Sequence, residues 1–301
     1  MVIDWRVLRG PRLETRPIWQ RDDPLSHVAS TVVLTAGGNW VRVHYLPGPH
    51  GVPTPFGHNS QDPDFVLVHG IGVSSRYFLP LAEKLSRIGD VYLMDLPGFA
   101  SLPRPRTPLT IQDFAMSLDG IVGSLHLENP IFVGHSMGAQ VVTELLVLGK
   151  QASKIVHEAG AVLVGPPVNA AERRLRTQLV RFAQSSRHES NEVRRLATNA
   201  YLACGVDWFA TVVPSMMAYP IEERIRLLPC PVTFLRGEYD EVAPQAWIDF
   251  LGREAGADVD DERAGSCTHV TVHGAAHSVI YDHDEDVYNA VMHLLEHHAP
   301  T

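Results

Sequence analysis

The 301-residue chain is 45% hydrophobic and 20% charged, with a formal net charge of −9. That balance is an ordinary globular one and speaks against a disordered protein, and the negative excess speaks against a nucleic-acid partner, because phosphate neutralisation needs clustered Lys and Arg. Cys204, Cys230 and Cys267 form neither a CxxC pair nor a disulfide framework, and residues 1–10 (MVIDWRVLRG) lack the apolar run of a signal peptide. A reducing, cytoplasmic setting is therefore expected, and with no stretch near the roughly 18 apolar residues of a spanning helix, no membrane partner.

In chain order, residues 1–28 are polar and Arg-rich without a clear period, and are expected to form an extension that lies over the body or stays mobile. Residues 30–36 (STVVLTA) and 40–46 (WVRVHYL) read as strands joined through Gly37-Gly38-Asn39, a junction that supplies positive φ for a hairpin. Residues 47–63 are a loop rich in Pro, Gly, His and Asn. From Asp64 strands and helices alternate: strand 65–68 (FVLV), helix 76–88, strand 91–94, helix 111–125, strand 131–133, helix 140–148, strand 161–164. The alternation resumes with strand 231–235, helix 243–251, strand 270–272 and helix 286–297. Short apolar strands alternating with helices predict an α/β fold with a mostly parallel sheet covered on both faces. Residues 166–229 carry no strand signal but several helical stretches, including 171–184 and 191–202, and read as a helical insertion of the size of a lid. The expected organisation is an extension at 1–28, a core at 29–165 and 230–301, and a helical cap at 166–229.

Gly134-His135-Ser136-Met137-Gly138 stands directly after a strand and before a helix. A nucleophile on so sharp a turn adopts a strained backbone, and side chains two residues to either side would collide, hence the glycines. The alternative is an ordinary tight strand–helix turn. His69-Gly70-Ile71-Gly72 ends the first strand of the alternating region, and the backbones of Ile71 and Met137 are assigned as the two donors of an oxyanion hole. Asp240, in Gly237-Glu238-Tyr239-Asp240 after a strand, is the expected orienting acid, with Glu238 and Glu241 as rivals. His277 lies between the last strand and last helix and is the expected general base, with His273 and His283 as rivals. The order Ser136, Asp240, His277 is the one expected for this architecture. A neutral imidazole would deprotonate the serine hydroxyl and return the proton to the leaving group, so activity is expected to rise through roughly pH 6–7. His69 and His135 read as loop supports. His293 and His297, four apart on one helix, lack a third ligand, and no metal is expected.

Together GHSMG, HGIG, Asp95-Leu96-Pro97-Gly98-Phe99, Gly237-Glu238-Tyr239-Asp240 and His277 resemble the α/β-hydrolase superfamily in its capped branch, over about residues 31–297. The resemblance implies an eight-stranded sheet and hydrolysis through an acyl-enzyme without a cofactor. Ser136 stands where haloalkane dehalogenases and epoxide hydrolases carry Asp, and Ser278 where C–C hydrolases often carry Trp; Ala139 replaces a second glycine. The leading expectation is a hydrolase for the carboxylic ester or lactone of a small to medium apolar molecule. A C–C bond hydrolase with the same triad is the alternative, and a ligand receptor without turnover a third reading. Trp208, Phe209, Val213, Met216 and Met217 are the candidate pocket residues within the insertion.

Overall fold

The computed structural model describes residues 30–51, 55–56, 62–127, 130–151, 160–256 and 267–298. The extension expected at 1–28 lies outside them, as does much of the loop at 47–63. The strands are β1 (Ser30–Ala36), β2 (Asn39–Leu46), β3 (Asp64–Val68), β4 (Asp90–Asp95), β5 (Ile131–His135), β6 (Gly160–Val164), β7 (Val232–Gly237) and β8 (Cys267–Val272). They form one sheet in the order β1-β2-β4-β3-β5-β6-β7-β8. β1 and β2 are an antiparallel hairpin turned by Gly37 and Gly38, both at positive φ. β2 joins β4 antiparallel, and every pairing from β4 to β8 is parallel.

The parallel strands are buried on both faces, and alternate residues serve opposite layers. Val66, Val68, Tyr92, Met94 and Phe132 belong to one core cluster, with Phe114 and Leu118 of α2 (Ile111–Ser124), Val142 and Leu145 of α3 (Met137–Gln151) and Trp247 of α8 (Gln245–Ala255). Phe65, Leu67, Val91, Leu93 and Val133 belong to the other, with Leu81 and Leu85 of α1 (Leu79–Leu85), Ile280 of α9 (Val279–Asp282) and Val291 of α10 (Asp284–His298). Helix 76–88, expected as one piece, begins instead with a 3-10 turn at Ser75–Phe78. Pro80 has no N–H to offer the Arg76 carbonyl, which accepts instead from Leu79, one residue earlier than an α-helix would supply.

Between β6 and β7 the chain leaves the sheet for α4 (Leu175–Ser185), α5 (Asn191–Cys204), α6 (Val206–Ala218) and α7 (Ile221–Arg224). Ser190 caps α5 by accepting the Val193 N–H, and Gly205, at φ 83°, breaks the chain between α5 and α6. The insertion is fastened to the body near both ends. Trp247 Nε1 donates to Pro166 O at 3.1 Å. Glu144 of α3 accepts Tyr219 Oη at 2.9 Å and Arg224 Nε at 2.7 Å, and Gln140 Nε2 donates to Met216 O at 3.1 Å. With its side chain only 5% exposed, Glu144 needs these partners, because a buried carboxylate without them is costly.

Among the described residues no single helix is long and apolar enough to cross a membrane, and no group of three or more His, Cys, Asp and Glu is placed to hold a metal ion.

Candidate active site

Parallel strands deliver the ends of β3, β5, β6, β7 and β8 to one rim of the sheet, and the singled-out residues lie there. Ser136 follows β5 with φ 54°, a left-handed conformation that costs a non-glycine residue about 1–3 kcal/mol. The fold supports that strain from both sides: Ser136 N–H donates to Val164 O at 2.8 Å, and Ala139 N–H to Ser136 O at 2.9 Å. The glycines flanking the turn are required by contact. A Cβ on Gly138 would meet Val68 O at 2.1 Å, and one on Gly134 would meet Gly138 O at 2.6 Å. The sequence expectation of a turn with no room for side chains matches this geometry.

Three distant segments meet at Ser136. His277 Nε2 lies 3.1 Å from Ser136 Oγ, and His277 Nδ1 lies 3.0 Å from Asp240 Oδ2. All three residues are buried. The other Asp240 oxygen, Oδ1, accepts the N–H groups of Val242 at 3.0 Å and Ala243 at 3.1 Å. The loop holding Asp240 is gathered from beneath by Arg236 at the end of β7, whose guanidinium donates to the carbonyls of Ala243, Glu238 and Asp240. Burial alone would raise the Asp240 carboxyl, but the His277 charge and hydrogen bond and the Ala243 amide reverse it, and the net shift is downward. Burial likewise pushes the His277 imidazole down; the Asp240 carboxylate and its hydrogen bond, aided by Glu189, outweigh it, and the net shift is upward. An ionised Asp240 accepts only, so His277 carries its proton on Nδ1 and turns the Nε2 lone pair toward the hydroxyl.

The rival residues are engaged elsewhere. Glu238 accepts the Gly274 N–H at 2.9 Å, and Glu241 pairs with Arg181 at 3.0 Å. The side chain of His273 is 90% exposed, and His283 faces Asp286 at 3.7 Å.

Two further histidines build the walls. His69 Nδ1 donates to Gly70 O at 2.7 Å while its Nε2 accepts the Leu96 N–H at 3.0 Å. His135 Nε2 donates to His277 O at 2.9 Å, so Nδ1 is left to accept from Tyr77 Oη at 2.6 Å, and Tyr77 Oη in turn accepts the Gly70 N–H at 3.1 Å. With Tyr77 Oη donating to Nδ1, His135 is neutral. Burial, helped by the neighbouring His277, pushes its imidazole down to about 3. Gly70, His135, which precedes Ser136, and the His277 backbone are thereby tied together. The exit of β3 packs on the turn at Ser136, where a Cβ at Gly70 would come within 3.0 Å of Ser136 Cβ. Ile71 follows Gly70 directly, and Met137 opens α3, where the first-turn N–H groups have no intrahelical acceptors.

The insertion contributes aromatic rings. Phe182 of α4 meets the His277 ring edge-on at 6.3 Å and Tyr201 of α5 at 6.1 Å. Tyr201 contacts Phe209 of α6 at 5.7 Å and presses on Gly72, where a Cβ would strike its ring at 2.3 Å. Of the five pocket candidates, Phe209 is therefore brought to the site's edge. Trp208 packs edge-on against Phe99, and Trp208 and Val213 join the core cluster against which Met216 and Met217 are packed. Phe182 and Tyr201 were not singled out from the sequence. The available signal was the stripe Leu175, Leu179, Phe182, whose spacing puts three apolar residues on one side of α4 while each stays at least 37% exposed.

A family model described as the alpha/beta hydrolase family matches residues 65–291. The chain belongs to the alpha/beta hydrolase family. Relatives of this chain include the pimeloyl-[acyl-carrier protein] methyl ester esterase of Aeromonas hydrophila, 25% identical over 267 residues that span 78% of this chain and 96% of that protein. The protein of the same name from Shewanella sp. is 38% identical over 87 residues, 29% of this chain and 30% of that protein; the chain thus matches less than a third of that relative's length. Among solved structures, the enol-lactonase of Burkholderia xenovorans superposes with a TM-score of 0.69 at 16% identity, covering 88% of this chain and 100% of that one. An esterase of Thermogutta terrifontis gives 0.68 at 18% identity, covering 90% and 100%. At these identities the likeness is one of fold.

Proposed function

We propose that this hydrolase cleaves a carboxylic ester or lactone of a small to medium apolar molecule through an acyl-enzyme, with Ser136 as nucleophile, His277 as general base and Asp240 as orienting acid. The observation that carries the reading is the unbroken line from Asp240 through His277 to Ser136, with contacts of 3.0 and 3.1 Å. His277 takes the hydroxyl proton as Ser136 attacks the carbonyl carbon, and the developing oxyanion is held by the backbone N–H groups of Ile71 and Met137. The imidazolium then returns the proton to the departing alcohol, and water repeats the sequence on the acyl-enzyme. Residues 166–229 act as the cap, and Phe182, Tyr201 and Phe209 give the substrate an apolar surface beside the triad. Relatives and structural neighbours named as esterases and a lactonase support the bond type. The test is turnover of p-nitrophenyl esters from acetate to octanoate and of simple lactones. Hydrolysis of at least one series is expected; inactivity toward all of them would overturn the bond assignment.

Two further outcomes follow from the same geometry. The base must be neutral to act, and the His277 pKa is shifted above the ordinary 6.5. The acid limb of kcat/KM is therefore expected to have its midpoint above pH 6.5, with Asp240 ionised throughout because its own shift is downward. A pH–rate profile measures it. Gly165, at φ 55°, sits against the pair, and a Cβ there would meet Asp240 Oδ2 at 2.9 Å and His277 Nδ1 at 3.1 Å. Gly165→Ala is expected to lower kcat roughly 10- to 100-fold with little change in KM, and to cost about 1–2 kcal/mol in denaturant unfolding through the positive φ.

A further inference from the structure

The turn joining α4 to α5 lies across the two loops that carry Asp240 and His277. On the acid side, Ser185 Oγ accepts the Glu241 N–H at 2.8 Å, Arg181 pairs with Glu241 at 3.0 Å, and the His188 ring stacks on Tyr239 at 4.3 Å. On the histidine side, Glu189 Oε1 accepts the Ser278 N–H at 2.8 Å, and Glu192 Oε1 accepts Tyr281 Oη at 2.9 Å. Residues 239 and 241 flank Asp240, and residue 278 follows His277. One cap segment therefore grips both neighbours of the acid and the residue after the base.

Within this grip Glu189 differs from the rest. It is half-buried, and its carboxyl is pushed up by burial, with His277 and the Ser278 contacts opposing that shift. Of the charged groups that act most on it, His277 is the positive one. The groups facing His277 are Asp240 from the loop after β7, His135 from the end of β5 and Glu189 from the cap. Those facing Glu189 are His277, Asp240 and Tyr201 of α5.

We propose that Glu189 is a cap-borne positioning residue for His277: its carboxylate holds the Ser278 backbone and adds a second negative charge beside the imidazolium, so that the strength of the base depends on the cap being seated. Asp240 sets the tautomer; Glu189 adds charge without touching the ring's hydrogen bonds. Lifting the α4–α5 turn would break the Ser278 contact and remove the charge, leaving a weaker base over an open site. Seating the cap restores both. The inference rests on the assignment of His277 as the base.

The test is an NMR titration of the His277 ring in the full-length protein, alongside pH–rate profiles, for wild type, Glu189→Gln and Glu189→Asp. Gln keeps a carbonyl oxygen for the Ser278 N–H and loses the charge. It is expected to lower the His277 pKa and the acid limb together by roughly 0.5–1 pH unit, and plateau kcat roughly three- to tenfold, with KM changed less than about twofold. Asp keeps the charge and is expected to hold the pKa near wild type. An unchanged His277 pKa in the Gln variant, or equal loss in both variants, would overturn the proposal. Undiminished ester turnover by Ser136→Ala would instead overturn the triad reading, and the ring titration would still report on Glu189.

Discussion

Replacing Ser136 with alanine is expected to lower kcat for ester hydrolysis by roughly 10⁵-fold, equivalent to about 7 kcal/mol of barrier, while leaving the fold intact. The hydroxyl lies 3.1 Å from His277 Nε2. Ser136 makes its structural hydrogen bonds through the backbone, with N–H to Val164 and C=O to Ala139, and alanine keeps both. Its strained φ of 54° is borne equally by alanine. Stability is thus expected to change by less than about 1 kcal/mol while activity collapses. Because nucleophile and base act as one unit, Ser136→Ala/His277→Ala is expected to be no slower than either single variant. Steady-state rates with an aryl ester, paired with urea unfolding, measure both halves. A multiplicative double loss would contradict a shared step.

Asp240→Asn is expected to cost roughly 10³–10⁴-fold in kcat with the loop undisturbed. Asparagine retains an oxygen at Oδ1 to accept the Val242 and Ala243 N–H groups. At the other position an NH₂ group would face His277 Nδ1, now 3.0 Å from a carboxylate oxygen. The imidazole would then accept at Nδ1 and carry its proton on Nε2, where it can no longer take the proton of Ser136. Loss of the carboxylate also removes the main influence holding the imidazole pKa up, so the remaining activity is expected to show an acid limb displaced to lower pH. A variant with near-wild-type kcat would give the orienting role to another residue.

The parts of this site legible in the sequence are those that local sterics impose. Gly134 and Gly138 flank a turn where a Cβ has no room, and Ser136, Asp240 and His277 each follow a parallel strand whose end lies at one rim. The hairpin at Gly37-Gly38 was equally plain, since its positive φ needs glycine. What periodicity could not supply was anything decided between distant surfaces. The position of β4 between β2 and β3 depends on crossovers, and the broken start of α1 on a single missing N–H at Pro80. Glu189 meets Ser278, Phe182 meets His277 and Tyr201 meets Gly72, each in a loop far along the chain, and in the sequence these three look like ordinary members of amphipathic helices and a turn. Trp208 shows the reverse: a conspicuous aromatic in the insertion that packs on Phe99 in the core, because a large ring is as useful for fastening a cap as for facing a ligand.

The central claim is that Ser136 is made nucleophilic by His277, and covalent labelling tests it most directly. Wild-type protein treated with a fluorophosphonate should gain one phosphonyl group per chain, mapped by tandem mass spectrometry to the peptide bearing Ser136. The adduct should be absent in Ser136→Ala and form far more slowly in His277→Ala. Full labelling of Ser136→Ala at wild-type rate, or ester turnover by a protein whose Ser136 stays unmodified and whose activity the reagent does not touch, would contradict it.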